Sequence, residues 1–127
     1  MSLPRCEQLI NSYPYVLSGG MLQRVMIALA LLHEPDIIIA DEATTALDVK
    51  NQHMVLEEFE KLKRRGIGLL LVTHDFGVAA KLADDMLVMR KGKIIESGTV
   101  YDLFATPRQT YTKELLDASM LRKENRM

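Results

Sequence analysis

Two adjacent carboxylates and one imidazole follow short apolar runs, the positions from which side chains of an α/β protein can act on a ligand. Asp41 and Glu42 follow Ile37–Ala40, and His74 follows Gly68–Thr73. A buried parallel strand delivers the next residue to the carboxyl edge of the sheet, where open α/β sheets hold ligands. The plainer alternative is that Ile37–Ala40 is ordinary core and that the acidic pair turns into solvent.

The stretch 17–24 could bind an anion. Ser18 precedes a run of helix formers and can cap that helix, its hydroxyl accepting a hydrogen bond from an early backbone N–H. Gly19 and Gly20 let another molecule approach the backbone, where free N–H groups and the positive end of the helix dipole attract negative charge. Taken alone, a Ser-Gly-Gly turn is also common loop punctuation.

Strands and helices alternate along the chain. Asp48, Asp75 and Thr99 stand where helix caps are expected, and Gly66 stands where a helix ends. The predicted helices cover Gly20–His33, a segment from Asp48 to about Arg65, segments after Asp75 and after Thr99, and about Thr110–Leu121. The predicted strands are Ile37–Ala40, Gly68–Thr73, Met86–Arg90 and Lys93–Glu96, the last two antiparallel. This order predicts an α/β fold with a parallel sheet.

Two segments near the start have a helical pattern. The pattern at Arg5–Ile10 predicts one helix, and the helix after Gly20 carries its apolar residues at helical spacing, with Gln23 and Arg24 on another face. The apolar residues are Met21, Leu22, Val25, Met26, Leu29 and Leu32. Such a stripe is typical of a helix whose apolar side packs on a core.

Composition excludes several classes of function. The 127 residues carry 16 basic and 17 acidic side chains, and the net charge of -1 argues against a general nucleic-acid-binding surface. The single cysteine, Cys6, cannot form an internal disulfide and suits a reducing compartment. The longest apolar run, Val25–Leu32, is too short to span a bilayer, and the first residues lead us to expect no signal leader. We expect a cytoplasmic protein without a nucleic-acid partner.

Taken in order, these motifs resemble those of ATP-binding-cassette (ABC) ATPases. The shared features are Leu-Ser-Gly-Gly-x-x-Gln-Arg at 17–24, Asp41-Glu42 after four apolar residues, Ala46-Leu47-Asp48, and His74 after the next strand. The resemblance runs from about Tyr13 to about Ala118. It implies a partial P-loop NTPase (RecA-like) parallel sheet with a signature helix, followed by a C-terminal β-hairpin and helices.

The resemblance implies catalytic roles at the strand ends. Asp41 corresponds to the Walker B carboxylate, which acts on Mg²⁺ mainly through water. Glu42 corresponds to the general base that polarises the attacking water, and His74 to the switch histidine that donates towards the γ-phosphate. The implied cofactors are ATP and Mg²⁺.

The resemblance also implies partners. Ser18, Gly19, Gly20 and Gln23 correspond to the signature, which in this family closes over the ATP of the opposite subunit. Asp48 corresponds to the D-loop aspartate at the same interface. We expect a second ABC ATPase subunit and membrane permease subunits as partners, at the inner face of the cell membrane.

The C-terminal third narrows the resemblance to the oligopeptide and nickel importer branch. Asp102–Phe104, Thr106-Pro107, Tyr111-Thr112 and Leu115-Leu116 resemble that branch, and Met21–Ala28 resembles its nickel-import subunits in particular. We expect one partial ABC ATPase domain over 1–127. Its parts are a signature-helix region at 5–34, a Walker B, D-loop and switch region at 35–98, and a helical tail at 99–127.

Two departures from the family pattern affect the expected activity. Ala43 replaces the usual proline, which predicts a looser turn, a less well aimed Glu42 and weaker catalysis. The Walker A half is missing, because at the single Gly92-Lys93 pair Leu87 and Ile94 occupy the first-glycine and hydroxyl positions. We expect the C-terminal half of a cassette, unable alone to bind MgATP tightly or to hydrolyse it. A neighbouring strand would be missing between 68–73 and 86–90.

Two functional interpretations follow. The first is the ATP-hydrolysing, energy-coupling subunit of an ABC importer for peptides or nickel, present here as a fragment. The second is a non-catalytic binding module that offers its signature turn in trans to an intact cassette or competes with it. A cassette of the DNA-repair kind is disfavoured, because the sequence has neither long coiled-coil insertions nor a basic DNA-facing surface.

Overall fold

A computed structural model of the chain describes residue 11 and residues 13–124, with side chains described at 11, 13–15 and 17–119. The chain divides after Val72 into two compact units. The helix predicted over Arg5–Ile10 lies outside the described residues.

The first unit is built around a strand–helix–strand motif. After a 3-10 turn at Pro14–Val16, the elements are α1 (Gly19–Leu31), β1 (Ile37–Asp41), α2 (Val49–Arg64) and β2 (Gly68–Val72). β1 and β2 are parallel, with Ile37 opposite Gly68 and Asp41 opposite Val72. α2 is the crossover that two parallel strands require. Asp41 and Val72 therefore end at the same edge of the sheet.

Residues of α2 supply half of the buried apolar side chains described in this unit. The buried apolar side chains are Val55, Leu56, Phe59 and Leu62 in α2, Ile38 and Ala40 in β1, Ile27 in α1 and Ala43 after β1. Since Ile38 and Ala40 alternate with exposed neighbours, one face of the sheet is covered and the other is open. Gly66, with φ of 83°, follows α2 in the left-handed conformation that glycine adopts without strain.

α1 buries a different face from the one its apolar pattern predicts. Gly20, Arg24 and Ile27 are buried, at spacings that place them on one side of the helix. The predicted stripe is wrong at Leu22, Met26, Leu29 and Leu32, which are exposed. The buried side contacts α2. Gly20 has no side chain to keep the helices apart, so their close approach decides which face is covered.

The second unit combines a hairpin with three helices. Its elements are α3 (Phe76–Leu82), β3 (Asp85–Arg90), β4 (Lys93–Thr99), α4 (Val100–Ala105) and α5 (Thr110–Glu124). β3 and β4 are antiparallel, joined at Lys91 and Gly92 with φ of 48° and 75°. Positive φ at both positions is the requirement of a type I′ turn, one of the two favoured two-residue hairpin turns. The buried apolar side chains are Val78, Ala79, Leu82, Val88, Leu103 and Leu116.

The predicted α/β class, the parallel pair and the hairpin are confirmed. α1 ends at Leu31, two residues before the predicted end, and β4 continues to Thr99 beyond Glu96. In the described residues, β1 pairs with β2 and β3 pairs with β4, each pair forming its own two-stranded sheet. Within residues 13–124, no helix has the length and apolar content needed to cross a membrane.

Candidate functional site

The acidic pair lies at the carboxyl end of β1, as predicted. Asp41 is the last residue of the strand and is exposed, and Glu42 is half-buried. The Glu42 backbone N–H donates to the Val72 carbonyl at 2.9 Å, which extends the parallel pairing by one bond beyond the strand. The acidic pair is therefore anchored to the end of β2 as well as to β1.

Glu42 is held in an unusual conformation. Its φ is 49°, in the left-handed region that few residues other than glycine adopt. Thr45 stabilises the turn, since its N–H donates to the Glu42 carbonyl at 3.0 Å and its hydroxyl donates to the Glu42 carboxylate. Thr45 is a site residue that the motifs in the sequence do not predict. The feature of the sequence that could have predicted its role is a hydroxyl three residues after a candidate base.

The signature turn lies at the start of α1. The Ser18 hydroxyl accepts a hydrogen bond from the Met21 N–H at 3.4 Å, which confirms the predicted cap. Ser18 and Gly19 are exposed, Gln23 is half-buried and Gly20 is buried. The turn therefore presents its first two residues to solvent and packs its second glycine against the rest of the unit.

Arg24 supports the turn from behind. Its side chain is 5% exposed, and its Nε donates to the Gly20 carbonyl at 3.4 Å. A buried guanidinium requires hydrogen-bond partners, and the Gly20 carbonyl is one of them. Arg24 belongs to the signature motif in the sequence, but that motif does not predict this contact.

Asp48 caps α2 and accepts two hydrogen bonds from Asn51. Its Oδ1 accepts the Asn51 N–H at 2.8 Å, and its Oδ2 accepts the Asn51 side-chain Nδ2 at 2.6 Å. These two hydrogen bonds, with a smaller contribution from Lys50, hold the pKa of Asp48 below its usual range because they favour the ionised form. Asn51 is a second residue that sequence reasoning missed.

Asn51 also contacts the signature turn. An ideal Cβ built on Gly20 would lie 2.5 Å from Asn51 Oδ1, whereas one built on Gly19 would lie 3.0 Å from Leu47 Cδ2. The first unit thus brings together Gly20 of the signature turn and Asp48 of the D-loop through Asn51.

His74 lies at the start of the second unit and is exposed. Asp75 beside it caps α3, its Oδ1 accepting the N–H groups of Gly77 at 2.8 Å and Val78 at 3.3 Å. The Thr73 hydroxyl accepts the Asp75 N–H at 3.0 Å. These bonds fix the backbone on both sides of His74. That the side chains of His74 and Glu42 lie close together remains a prediction.

Asp41, at the end of β1, is a carboxylate that could act on a magnesium ion bound with a nucleotide. Mg²⁺ in nucleotide sites is held by one or two carboxylates together with phosphate oxygens and water. Within the described residues no group of three or more His, Cys, Asp or Glu side chains could hold a metal, so Asp41 supplies one carboxylate without a cluster. The sequence also contains no phosphate-binding loop.

Known proteins similar to this chain are ATP-binding proteins of ABC transporters. The ABC transporter family profile matches residues 3–45. An oligopeptide transport ATP-binding protein of Lactococcus lactis is 45% identical over 117 residues, covering 91% of this chain and 35% of the relative. A dipeptide transport ATP-binding protein of Bacillus subtilis is 48% identical with the same coverage. A glutathione import ATP-binding protein of Escherichia coli is 47% identical, covering 91% of this chain and 19% of the relative.

A solved structure extends the likeness to the fold. A dimeric post-hydrolysis structure of the ATP-binding cassette MJ0796, bound to ADP and Pi, matches with a TM-score of 0.65 at 36% identity. The match covers 74% of this chain and 40% of that one. In sequence and in fold, this chain is therefore similar to the ATPases of ABC transporters. It spans about a third of the length of the first two relatives, and the predicted partial P-loop fold agrees with the cassette structure.

Proposed function

We propose that this chain is the signature-bearing and Walker B-bearing part of the ATP-hydrolysing subunit of an ABC importer. Peptides are the favoured cargo, because the relatives compared above are named for oligopeptide, dipeptide and glutathione transport. Nickel, which the resemblance of Met21–Ala28 implies, is the second candidate cargo. The complete subunit would work as a dimer with membrane permease subunits, at the cytoplasmic face of the membrane.

The observation that carries the proposal is the paired arrangement of two helix starts in the first unit. The signature turn stands at the start of α1 with Ser18 and Gly19 exposed, and Asp48 stands exposed at the start of α2. Asn51 contacts both. Exposed backbone N–H groups at the start of a helix, together with the helix dipole, suit a negatively charged group offered by another molecule.

The strand-end residues supply the remaining chemistry in the complete subunit. Glu42 would orient and polarise the attacking water, Asp41 would act on Mg²⁺ through water, and His74 would donate to the terminal phosphate. When bound, MgATP supplies the phosphoryl group and the charge-neutralising metal. The turn conformation of Glu42 and its hydrogen bond from Thr45 set the direction of the carboxylate.

The isolated chain is expected to lack ATP turnover, since it has no phosphate cradle. A binding module acting in trans is therefore the second candidate function. The exposure of Ser18 and Gly19 on a unit with its own core favours this candidate. The chain would then offer its signature turn to an intact cassette, or compete with that cassette's own partner.

ATPase measurements on mixtures test both candidates. The purified chain is added to a full-length peptide-importer cassette whose own signature glycine has been replaced. Rescue of ATP hydrolysis supports donation of the signature turn, and inhibition of an unmodified cassette supports competition. No effect on either cassette contradicts both.

Two matched variants identify the residues responsible. Gly19→Asp places a carboxylate where the phosphate would approach and is expected to abolish rescue. Glu42→Gln is expected to leave rescue unchanged, because the signature-replaced partner supplies its own base. Loss of rescue in Glu42→Gln would contradict donation through the signature turn alone.

A further inference from the structure

The two signature glycines have different surroundings. At Gly19 an added Cβ would meet only the end of the flexible Leu47 side chain, at 3.0 Å. At Gly20 an added Cβ would lie 2.5, 2.6 and 2.7 Å from Oδ1, Cγ and Cβ of Asn51. Real Cβ atoms essentially never come that close to another heavy atom. The space that a side chain at position 20 would need is filled by Asn51.

Asn51 is fixed in this position by Asp48. The side-chain Nδ2 donates to Asp48 Oδ2 at 2.6 Å while the backbone N–H donates to Oδ1 at 2.8 Å. Because Nδ2 and Oδ1 belong to one planar amide, holding Nδ2 on Asp48 also sets where Oδ1 lies against Gly20. The Gly20 carbonyl is held from its own helix by Arg24 Nε at 3.4 Å.

We propose that Asn51 is a positioning residue that sets the spacing between the signature turn (Ser18–Gly20) and the D-loop aspartate, Asp48. The proposal rests on the proposed function in one respect: both segments are taken to face the nucleotide of a partner subunit. Gly20 is then required by packing inside the chain, whereas Gly19 remains open to an approaching ligand.

The packing can be tested on the chain alone, without any ATPase activity. Gly20→Ala, Asn51→Ala and the double variant are compared by urea unfolding. Gly20→Ala is expected to lower the unfolding midpoint clearly in the natural chain, and by less than half as much when Asn51 is already Ala. Gly19→Ala serves as the control, since its effect should be the same in both backgrounds. Equal losses from Gly20→Ala in both backgrounds would overturn the proposal.

An isosteric variant separates the two contacts of the side chain. Asn51→Asp keeps the volume beside Gly20 but cannot donate to Asp48. The Gly20→Ala penalty should therefore persist in this background. In a ¹³C NMR titration, the Asp48 midpoint should rise in Asn51→Ala, which loses the Nδ2 hydrogen bond. It should rise further in Asn51→Asp, because the new carboxylate also repels that of Asp48. The backbone N–H of residue 51 and Lys50 remain beside Asp48 in both. An unchanged midpoint in Asn51→Ala would contradict the role assigned to Nδ2.

The functional part is tested by rescue of the signature-replaced cassette. Asn51→Ala, shown by circular dichroism to be folded, is expected to rescue at least several-fold less ATP hydrolysis than the natural chain at the same concentration. Equal rescue by both would overturn the positioning role. If the natural chain itself gives no rescue, the proposed function fails, while the unfolding comparison still decides whether Asn51 excludes a side chain at position 20.

Discussion

The two units of this chain hold themselves together in different ways. The first relies on apolar packing of α2 against a two-stranded sheet, and it leaves the other sheet face open: Ile37, Ile39, Leu70 and Val72 are 48–69% exposed. The second ties its hairpin to α5 with polar contacts. Glu96 accepts the backbone N–H groups of Arg108 at 2.7 Å and Gln109 at 3.1 Å. Arg90 lies 4.6 Å from the centre of the Tyr111 ring.

The two units also differ in how many candidate site residues they carry. Most candidate site residues lie in the first unit, on turns at strand ends and helix starts, and His74 stands at the start of the second. A unit whose sheet exposes apolar side chains on one face has a surface that further protein can cover. The hairpin of the second unit also exposes Leu87, Met89 and Ile94, at 57–58%, but polar contacts to the start of α5 supplement its apolar core. The contrast implies that the first unit responds more strongly to changes in its core.

The largest expected effect is at Phe59, which is 1% exposed in the core of the first unit. Phe59→Ala should cost about 3–5 kcal/mol of unfolding free energy, because it removes a large apolar side chain and leaves a cavity. Leu103→Ala in the second unit is the matched variant. Urea unfolding followed by residue-resolved NMR checks the comparison. The contrast between the units is wrong if Leu103→Ala lowers the unfolding free energy of the second unit as much as Phe59→Ala lowers that of the first.

A smaller effect is expected at the helix caps. Thr99 accepts the Asp102 N–H at 3.1 Å, and Thr99→Ala should cost about 1 kcal/mol of stability. The Ser18 hydrogen bond is longer, at 3.4 Å, so Ser18→Ala should cost about 0.5 kcal/mol, the low end of the range for caps. Chemical denaturation of the two variants measures the difference. A larger stability loss at Ser18 would reverse the order.

The polar anchoring of α5 should make the second unit sensitive to acid. The buried Thr112 hydroxyl beside Glu96 and the N–H groups of Arg108 and Gln109 hold the pKa of Glu96 below its ordinary value of 4.5. The Thr112 hydroxyl forms no hydrogen bond of normal geometry, so we assign the anchoring to the two backbone N–H groups. A depressed folded-state pKa contributes stability above pH 4.5 that is lost as pH falls through the folded value.

Replacing the carboxylate isolates this contribution. Glu96→Gln should lower the melting temperature at pH 7 slightly and flatten its dependence on pH below 4.5. Asp48→Asn is the matched variant in the first unit, where the usual value is 3.8. The measurement is the melting temperature between about pH 3 and pH 7. Because the pKa values of Asp48 and Glu96 are both lowered in the folded chain, each carboxylate should add stability that is lost as the pH falls. An unchanged acid profile in Glu96→Gln would show that Glu96 does not anchor α5.

The smallest expected change in stability comes from the open sheet face. Ile39→Lys puts a charge on an exposed position and should alter the unfolding free energy by less than about 0.5 kcal/mol. It should also reduce self-association at high concentration, because it interrupts the apolar patch. Tyr101→Lys, on an exposed side chain of the second unit, is the control. Analytical ultracentrifugation would disprove the role of this face if both variants self-associate like the natural chain.

The sequence predicts the features of this fold that are decided locally. Ser18, Asp48, Asp75 and Thr99 each cap the helix that follows, since capping needs only a side-chain oxygen and the next few N–H groups. The hairpin turn depends on two adjacent positive φ values, which Gly92 favours at its own position.

What the sequence did not predict depends on contacts between elements. α1 was expected to bury its apolar stripe, but it buries Gly20 and Arg24 because α2 approaches that side. The roles of Asn51 and Thr45 likewise arise from neighbours brought together by the fold. The effect of Ala43 on Glu42 stays a prediction. The backbone at Glu42 has positive φ, and a proline at position 43 would favour an extended conformation there instead.

The overlap between Gly20 and Asn51 has a consequence for how such chains can evolve. A larger residue at position 20 is tolerable only after position 51 has become smaller, so the two sites cannot drift independently. Variation at either site is thereby restricted by a neighbour thirty-one positions away along the chain. Natural relatives should accordingly show paired rather than single changes at these two places.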